Sequence, residues 1–320
     1  MAPDIAALSR MQIARFFQQN NSVTREQCDA EAQRLTSQSV TATLSQGGTS
    51  YTVEGGHVIV QFRVPHSTLD MGLLQSIEHT YPGFVPHHEY QGRFGQLSVY
   101  TMNNIGGVCM YLARDKLLSN DSYLLKVTLD DYASRFFASA FYNTPTMMAR
   151  PDPAQLLSKY LSQLEQLRSE LPPRFRPTLD RLIPQVSDLF AEGWPLVLNH
   201  TDLLENNIHV DPATGSITGI CDWRETEVSP FGMSLGGVEV MLGVPVTARS
   251  AWRYHHNHGE LRDYFWTQFY CHLGGASDEQ KRRIQTARLA GLFLTYAFEY
   301  GSPATEESSD LRILGELILE

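Results

Sequence analysis

The spacing of apolar residues separates a first part of mixed helical and extended patterns from a longer part that is mainly helical. Residues 5–17 place apolar side chains at helical intervals, which predicts an amphipathic helix. Segments 42–45 and 51–53 are β-prone and flank a glycine pair, and residues 57–62 form another β-branched run. This pattern predicts a hairpin that turns at the glycines.

The end of the first part is marked by a helix, a strand and a second glycine pair. Residues 69–79 read as a helix and residues 96–102 as a strand that runs into Gly106-Gly107. We therefore predict a first lobe over residues 1–102, a hinge at 103–107 and a second lobe over 108–320.

The second part has apolar residues every three or four positions, interrupted by a short β-rich island. Helices are predicted at 124–142, 153–171, 179–190, 260–273 and 279–300, with helical texture also near Ser234. Short apolar segments at 196–198, 208–210 and 217–220 form the island. The fold class predicted is α+β, with a small β-rich first lobe and a larger, mainly helical second lobe.

The amino-acid composition argues against several classes of binding partner. Of 320 residues, 42% are hydrophobic and 19% charged, as in an ordinary folded domain. Lys and Arg number 25 against 35 Asp and Glu, and this net charge of −10 argues against a nucleic-acid partner. No apolar run reaches the ~20 residues that span a bilayer, and no leader pattern opens the chain. The four scattered cysteines lack CxxC spacing, so we expect no zinc site, no disulfide framework and a cytoplasmic setting.

The polar motif His200-x-Asp202-x₄-Asn207 lies directly after a predicted strand of the island. Phosphoryl transfer needs a carboxylate that orients the attacking hydroxyl and accepts its proton, and an oxygen ligand for magnesium on the nucleotide phosphates. We assign the first role to Asp202 and the second to Asn207, with His200 supporting the loop. The alternative is structural: a core histidine, a loop cap and a turn residue.

A second carboxylate strengthens the phosphoryl-transfer interpretation. Asp222 follows the strand that begins at Ile217, where a hard oxygen donor would bind Mg²⁺. The three fixed positions of the first motif recur by chance in roughly a few per cent of chains this long. With Asp222 added, coincidence becomes a poorer explanation.

Segments 198–208 and 210–223 together resemble the catalytic core of the aminoglycoside phosphotransferase and choline kinase superfamily, particularly its fungal members. The segment 229–235 is similar as well, so the resemblance is strongest over residues 196–243. It implies a bilobed protein-kinase-like fold with ATP between the lobes, Mg²⁺ as cofactor and a small-molecule hydroxyl as acceptor.

The resemblance also implies a phosphate-covering loop at Gly47, Gly48, Thr49 and Ser50. The glycines allow close backbone approach, and the hydroxyls are donors. A plain hairpin turn explains the glycine pair equally well.

On the strand over residues 58–63, the family usually has a lysine for the nucleotide phosphates, and this chain has none. Gln61 and Arg63 lie on one face of that strand, and either is a candidate replacement. The acid expected to pair with this residue is best matched by Asp70, with Glu78 as competitor. An N-terminal helix cap is the alternative for Asp70.

The adenine-binding hinge implied by the resemblance would use Met102, Asn103 and Ile105. Backbone groups would bind the adenine edge, and Met102 and Ile105 would form apolar walls. The alternative is an ordinary linker.

Three glutamates near the motif, Glu205, Glu225 and Glu227, are further candidates for contact with a cationic substrate, although loop glutamates are commonly solvated. The sequence thus predicts an ATP- and Mg²⁺-dependent small-molecule kinase. The missing lysine keeps open a nucleotide-binding pseudokinase with a regulatory role, or a kinase scaffold recruited to another step of metabolite biosynthesis.

Overall fold

A computed structural model describes residues 5–145, 150–246 and 251–318, which fall into two compact units divided between Gly106 and Gly107. This division lies inside the segment predicted as the hinge. The first unit is built on one β-sheet and the second is mainly helical, so the predicted α+β class is confirmed.

The first unit contains a five-stranded antiparallel sheet in the order β1-β2-β3-β5-β4. The strands are β1 (Thr41–Ala42), β2 (Ser50–Gly55), β3 (Val58–Arg63), β4 (His88–Phe94) and β5 (Leu97–Asn103). The strand predicted at 42–45 ends earlier, because the side chain of Gln46 accepts from Thr52 N at 3.0 Å and donates to Thr43 O at 3.1 Å. An amide side chain thereby takes the place of backbone pairing in the loop.

Three α-helices belong to the first unit: α1 (Ile5–Gln19), α2 (Arg25–Thr36) and α3 (Met71–Thr80), with a 3₁₀ turn at Pro65–Ser67. The predictions of α1 and α3 are confirmed within two residues at each end. Helix α2 escaped prediction because it buries only Cys28 and Ala32, too little for an apolar stripe. Its local signal is the capping box between Thr24 and Gln27.

The second unit contains nine described α-helices with 3₁₀ and π segments between them. The α-helices are α4 (Met110–Leu117), α5 (Ser119–Asp131), α6 (Ser139–Tyr142), α7 (Pro153–Glu170), α8 (Arg176–Leu182), α9 (Glu239–Leu242), α10 (His258–His272), α11 (Asp278–Tyr296) and α12 (Ser309–Ile318). A π segment, Tyr132–Ala138, joins α5 to α6, and 3₁₀ segments cover Pro173–Phe175, Ile183–Phe190, Trp223–Glu225 and Leu235–Val238.

Short strands of the second unit bring the predicted motifs together. They are β6 (Val108–Cys109), β7 (Leu196–Asn199), β8 (Ile208–Val210), β9 (Ile217–Ile220), β10 (Glu227–Pro230), β11 (Gly243–Val246), β12 (Ala251–Tyr254), β13 (Phe298–Glu299) and β14 (Ser302–Pro303). The predicted island exists, but as two sheets: β7 pairs with β10, whereas β8 lies between β6 and β9. The loop that links these two sheets carries the His200 motif.

Two expectations from composition can be compared with the fold. Across the described ranges, none of the helices has both the length and the apolar character needed to cross a membrane. All four cysteines are free thiols: Cys28 and Cys109 are buried, Cys221 is half-buried and Cys271 is exposed.

Candidate active site

The loop over residues 200–207, here called the motif loop, begins at a fully satisfied buried amide. Asn199, at the end of β7, is 4% exposed. Its Nδ2 donates to Ser229 Oγ at 2.8 Å and to Pro230 O at 3.1 Å, while its Oδ1 accepts from Ser234 N at 3.2 Å. Buried amides with every group paired hold one geometry, so the start of the motif loop is tied to β10 and the turn after it.

His200 links the motif loop to the end of β9. Its Nε2 lies 2.8 Å from Cys221 O, and its Nδ1 lies 3.1 Å from the backbone nitrogen of Asp202. The first contact requires a donor nitrogen and the second an acceptor, so the ring is neutral with its proton on Nε2. Burial lowers the pKa of His200 to about 4, which keeps it neutral at physiological pH. The ring is 2% exposed and packs edge-on against Trp223.

Asp202 and Asn207 face each other across the motif loop. Asn207 Nδ2 donates to the backbone oxygen of Asp202 at 2.8 Å and to its Oδ2 at 3.1 Å. A turn between them is closed by backbone bonds from Leu204 N to Asp202 O and from Asn207 N to Leu204 O, both 2.9 Å. Because the amide nitrogen is committed to Asp202, Oδ1 is the acceptor that Asn207 presents elsewhere.

Asp222 is brought next to Asn207 by the pairing of β8 with β9. Ile208 is opposite Ile220, and Cys221 N donates to Asn207 O at 2.8 Å. Asp222 itself has φ 59° and ψ 56°, a left-handed backbone that few non-glycine residues adopt. Such local strain is tolerated where the surrounding structure enforces it, and it occurs often at functional sites.

The donor set fits magnesium. Asp222 offers a carboxylate and Asn207 an amide oxygen, and these hard ligands are brought near each other by the pairing of β8 with β9. Within residues 5–145, 150–246 and 251–318, no group of three or more His, Cys, Asp or Glu side chains is arranged to hold a metal. Mg²⁺ is commonly bound by one or two protein oxygens together with phosphates and water.

A cavity of about 540 Å³ in the second unit opens onto Asp202. It is lined by the motif loop, α7, β10, α11 and α12, with Tyr160 and Tyr296 among its walls. Among the described residues, its lining carboxylates are Asp202, Glu227 and Asp310, and its one lining Lys or Arg is Lys159. Burial, with added repulsion from Asp310 and Asp202, raises the pKa of Tyr296 to about 12. With three carboxylates and one lysine among its described lining residues, the cavity has a net negative formal charge.

The three glutamates considered for substrate contact differ in position. Glu227 lines the cavity and its Oε1 lies 3.5 Å from Lys159 Nζ. Glu205 is 9% exposed and both of its oxygens are held by Arg114, with Nε to Oε1 at 3.0 Å. Glu205 is thus engaged by an internal cation, which the sequence did not reveal. The side chain of Glu225 lies outside the described part.

In the first unit, the predicted phosphate-covering loop is partly committed to internal contacts. Gly48 has open space where a Cβ would lie, as close approach of a ligand requires. Thr49 Oγ1, however, lies 2.9 Å from Ser67 Oγ, and Ser50 is buried. A Cβ added at Gly47 would lie 3.0 Å from Ser50 Oγ, which is a tight contact.

Gln61 and Arg63 lie together as their spacing predicted, and they are bonded to each other. Arg63 Nη1 donates to Gln61 Oε1 at 2.8 Å, and Nη2 donates to Ser67 Oγ at 2.7 Å. Asp70 is the N-cap of α3, where it accepts from Leu73 N at 3.0 Å, so the helix-cap interpretation describes its place in the structure. Glu78 lies 2.9 Å from His87 Nδ1.

The residues predicted for the adenine hinge lie at and after the end of β5. Met102 is opposite Ile59 in the sheet and is half-buried, as is Ile105. Asn103 is exposed, and its Oδ1 accepts from His87 N at 2.6 Å. Met102 and Ile105 therefore both retain some exposed apolar surface.

Several residues of this site were missed in the sequence. Arg114 lies 91 positions from its partner, and Asp310 and Tyr296 reach the cavity from α12 and α11. Only Asn199 could have been found from the sequence, because it directly precedes His200 and its hydrogen-bond partners lie in segment 229–235.

Comparison with known proteins supports the fold. Residues 142–270, which include Asp202, Asn207 and Asp222, match the model of the phosphotransferase enzyme family. A search of curated proteins found no match.

Solved structures give the likeness over most of the chain. A putative aminoglycoside phosphotransferase from Ralstonia eutropha is similar with a TM-score of 0.56 at 12% identity, covering 87% of this chain and 90% of that one. A type I macrolide 2′-phosphotransferase has a TM-score of 0.51 at 15% identity, covering 86% and 92%. A macrolide 2′-phosphotransferase from Brachybacterium faecium has 0.50 at 12%, covering 82% and 89%. The chain therefore has the kinase-like α+β fold of these enzymes, and the likeness to the phosphotransferase enzyme family model extends over residues 142–270.

Proposed function

We propose that this protein is a small-molecule kinase that transfers the γ-phosphoryl group of ATP to an acceptor hydroxyl in a Mg²⁺-dependent reaction. The observation that carries the proposal is the placement of Asp202 at the 540 Å³ cavity while its carboxylate is bonded to Asn207. The cavity is large enough for a small molecule, and Asp202 is one of its lining residues.

In this mechanism Asp202 orients the acceptor hydroxyl and accepts its proton as the oxygen bonds to the γ-phosphorus and ADP departs. Asn207 and Asp222 would hold Mg²⁺, which when bound neutralises charge on the phosphates. The amide of Asn207 keeps the carboxylate of Asp202 in one orientation through the 3.1 Å bond. Catalysis of this kind rests on positioning and electrostatics.

Nucleotide contacts from the first unit are part of the proposal. They are assigned to the loop at Gly47, Gly48, Thr49 and Ser50, to Gln61 or Arg63, and to Met102, Asn103 and Ile105, with Asp70 in a supporting place at the start of α3. The side-chain bond between Arg63 and Gln61 suggests that they act as one polar unit. Free cysteines fit a cytoplasmic setting.

The acceptor proposed is a hydroxyl compound that also carries an amine. Three carboxylates against one lysine make the cavity acidic, and a cationic group would be attracted to Glu227 or Asp310. Two of the similar structures are named as macrolide phosphotransferases, so macrolides are included among the acceptors to test.

The test is turnover with a panel of amine-bearing and neutral hydroxyl compounds, ATP and MgCl₂, with ADP release and product mass as readouts. We expect acceptor-dependent ADP release with at least one amine-bearing compound and a product heavier by one phosphoryl group. No acceptor-dependent release across the panel, with no change in thermal stability on adding Mg·ATP, would count against the proposal.

A second candidate is a nucleotide-binding regulatory protein without turnover. The observation that favours it is that β3 has no lysine and that its arginine, Arg63, is 6% exposed and bonded to Ser67 and Gln61. Thermal shift with ATP, with and without Mg²⁺, separates the two: a shift without phosphotransfer supports the regulator, and a shift with acceptor-dependent product supports the kinase.

A further inference from the structure

An arginine of α4 forms an ion pair with a glutamate of the motif loop. Arg114 Nε donates to Glu205 Oε1 at 3.0 Å, and Nη2 donates to Oε2, so the guanidinium holds the carboxylate through both oxygens. Side-chain exposure is 20% for Arg114 and 10% for Glu205. Two-point contact of this kind fixes orientation as well as distance.

The contact of Arg114 with Glu205 can affect the geometry of the motif loop because of where Glu205 lies in the chain. Glu205 lies between Asp202 and Asn207, immediately after the turn closed by Leu204 N to Asp202 O. Nearby, Leu203 is buried against Gly237, where an added Cβ would lie 2.7 Å from Leu203 Cβ. Leu204 is 41% exposed, so the middle of the loop depends on the contacts of its two neighbours, Leu203 and Glu205.

Arg114 is itself held in place. Its guanidinium lies over the ring of Tyr111, 4.8 Å from the centroid, on the same helix. Burial raises the pKa of the Glu205 carboxyl, and the hydrogen bonds and charge of Arg114 oppose that rise. Removing Arg114 alone would therefore leave a buried acid without its cation.

We propose that Arg114 is a positioning residue for phosphoryl transfer, because its two-point ion pair with Glu205 sets the separation of Asp202 and Asn207. The kinetic part of this inference rests on the proposed kinase function. The structural part, that Arg114 orders the motif loop, does not.

The rival explanation is that the pair only avoids unpaired buried charge, and a double variant separates the two. Arg114→Met and Glu205→Met each leave one buried charge without its partner. The double variant removes both charges, a change that commonly costs little stability. We expect the single variants to melt at lower temperature and the double variant to regain most of that loss. If the pair positions the loop, kcat of the double variant stays about 10- to 100-fold below the original protein, with acceptor KM changed less than about threefold.

Arg114→Lys keeps the charge but loses the two-point geometry, and it is the variant least prone to misfolding. Its kcat should lie between those of the original protein and the double variant. Lys126→Met, which removes the ion pair between α5 and Glu260, is the matched control and should keep the original kcat. A kcat within about twofold of the original in both Arg114→Lys and the double variant would overturn the proposal.

Hydrogen exchange tests the loop without any need for turnover. Amides of residues 203–207 should exchange faster in Arg114→Lys and in the double variant, while those of β8 and β9 should not change. Unchanged exchange at 203–207 would overturn the structural part. If the original protein transfers no phosphate, the proposed kinase function fails, and the exchange result still decides whether Arg114 orders the loop.

Discussion

Asn207 Nδ2 donates to the backbone oxygen of Asp202 at 2.8 Å and to its carboxylate Oδ2 at 3.1 Å. One side chain therefore fixes the orientation of the proposed proton acceptor and, through its remaining Oδ1, serves as a proposed metal ligand. The two functions are coupled through a single amide, and the first two predictions test the residues on either side of this contact.

Asp202→Asn replaces the proton-accepting carboxylate with an amide of nearly the same shape. We expect phosphotransfer to fall by about 10²- to 10⁴-fold, because the hydroxyl loses its general base. ADP release with a saturating acceptor measures the loss. Asp263→Asn, which changes an exposed carboxylate on α10, is the control and should keep its activity. Full turnover in Asp202→Asn would refute the assigned role.

Asn207→Leu removes both the amide donor to Asp202 and the proposed metal ligand. We expect the Mg²⁺ concentration for half-maximal activity to rise by about tenfold or more, together with a lower kcat. Titration of activity against MgCl₂ at fixed ATP measures both. The neighbouring Asn206 is exposed, and Asn206→Leu is the matched control. If the two variants have the same Mg²⁺ dependence, Asn207 is not a metal ligand.

His200 predicts a pH dependence of stability. Its pKa in the folded chain is about 4, below the ordinary 6.5, so its stabilising contribution is complete above pH 6.5 and is lost as pH falls toward 4. Over that window the unfolded chain binds a proton that the folded chain does not, at about 1.4 kcal/mol per pH unit at most. The same direction holds for His88 and His255, whose pKa values burial also lowers to about 4.

We therefore expect His200→Gln to unfold more easily at pH 7.5 and to lose less of its remaining stability between pH 6.5 and 5.5 than the original protein. Denaturant unfolding at several pH values measures the free energy of unfolding. His66→Gln, at an exposed histidine of the first unit, is the control. An unchanged pH slope in His200→Gln would show that His200 is not the buried neutral group inferred.

Gly237→Ala tests the other anchor of the motif loop. The added Cβ would lie 2.7 Å from Leu203 Cβ and 2.9 Å from Tyr132 Oη, so the loop must shift. We expect a loss of about 1–3 kcal/mol in the free energy of unfolding, and lower kcat. Gly259→Ala is the control, because in α10 nothing lies within 4 Å of its Cβ and alanine favours the helix. Equal stability in the two variants would contradict the close contact.

Much of the fold follows from local pattern. The apolar periodicity of α1, α7, α10 and α11 and the short apolar runs of β7, β8 and β9 were readable because each element buries one face or one run. Helix α2 was not readable because its stability comes from a capping box and two small buried residues. The early end of the predicted first strand depends on the Gln46 side chain, whose partners lie up to six positions away.

The sequence by itself determined the α+β class, the positions of helices such as α1 and α7, and the spacing of His200, Asp202, Asn207 and Asp222, because apolar periodicity and motif spacing are local properties of the chain. Only the tertiary structure decided that Arg114 forms an ion pair with Glu205. It also decided that Asp310 and Tyr296 line the same cavity as Asp202, and that Asp70 caps a helix. Contacts such as that of Arg114 with Glu205 join residues 91 positions apart. Burial and charge pairing at that range are set by how the helices pack, which no local pattern records.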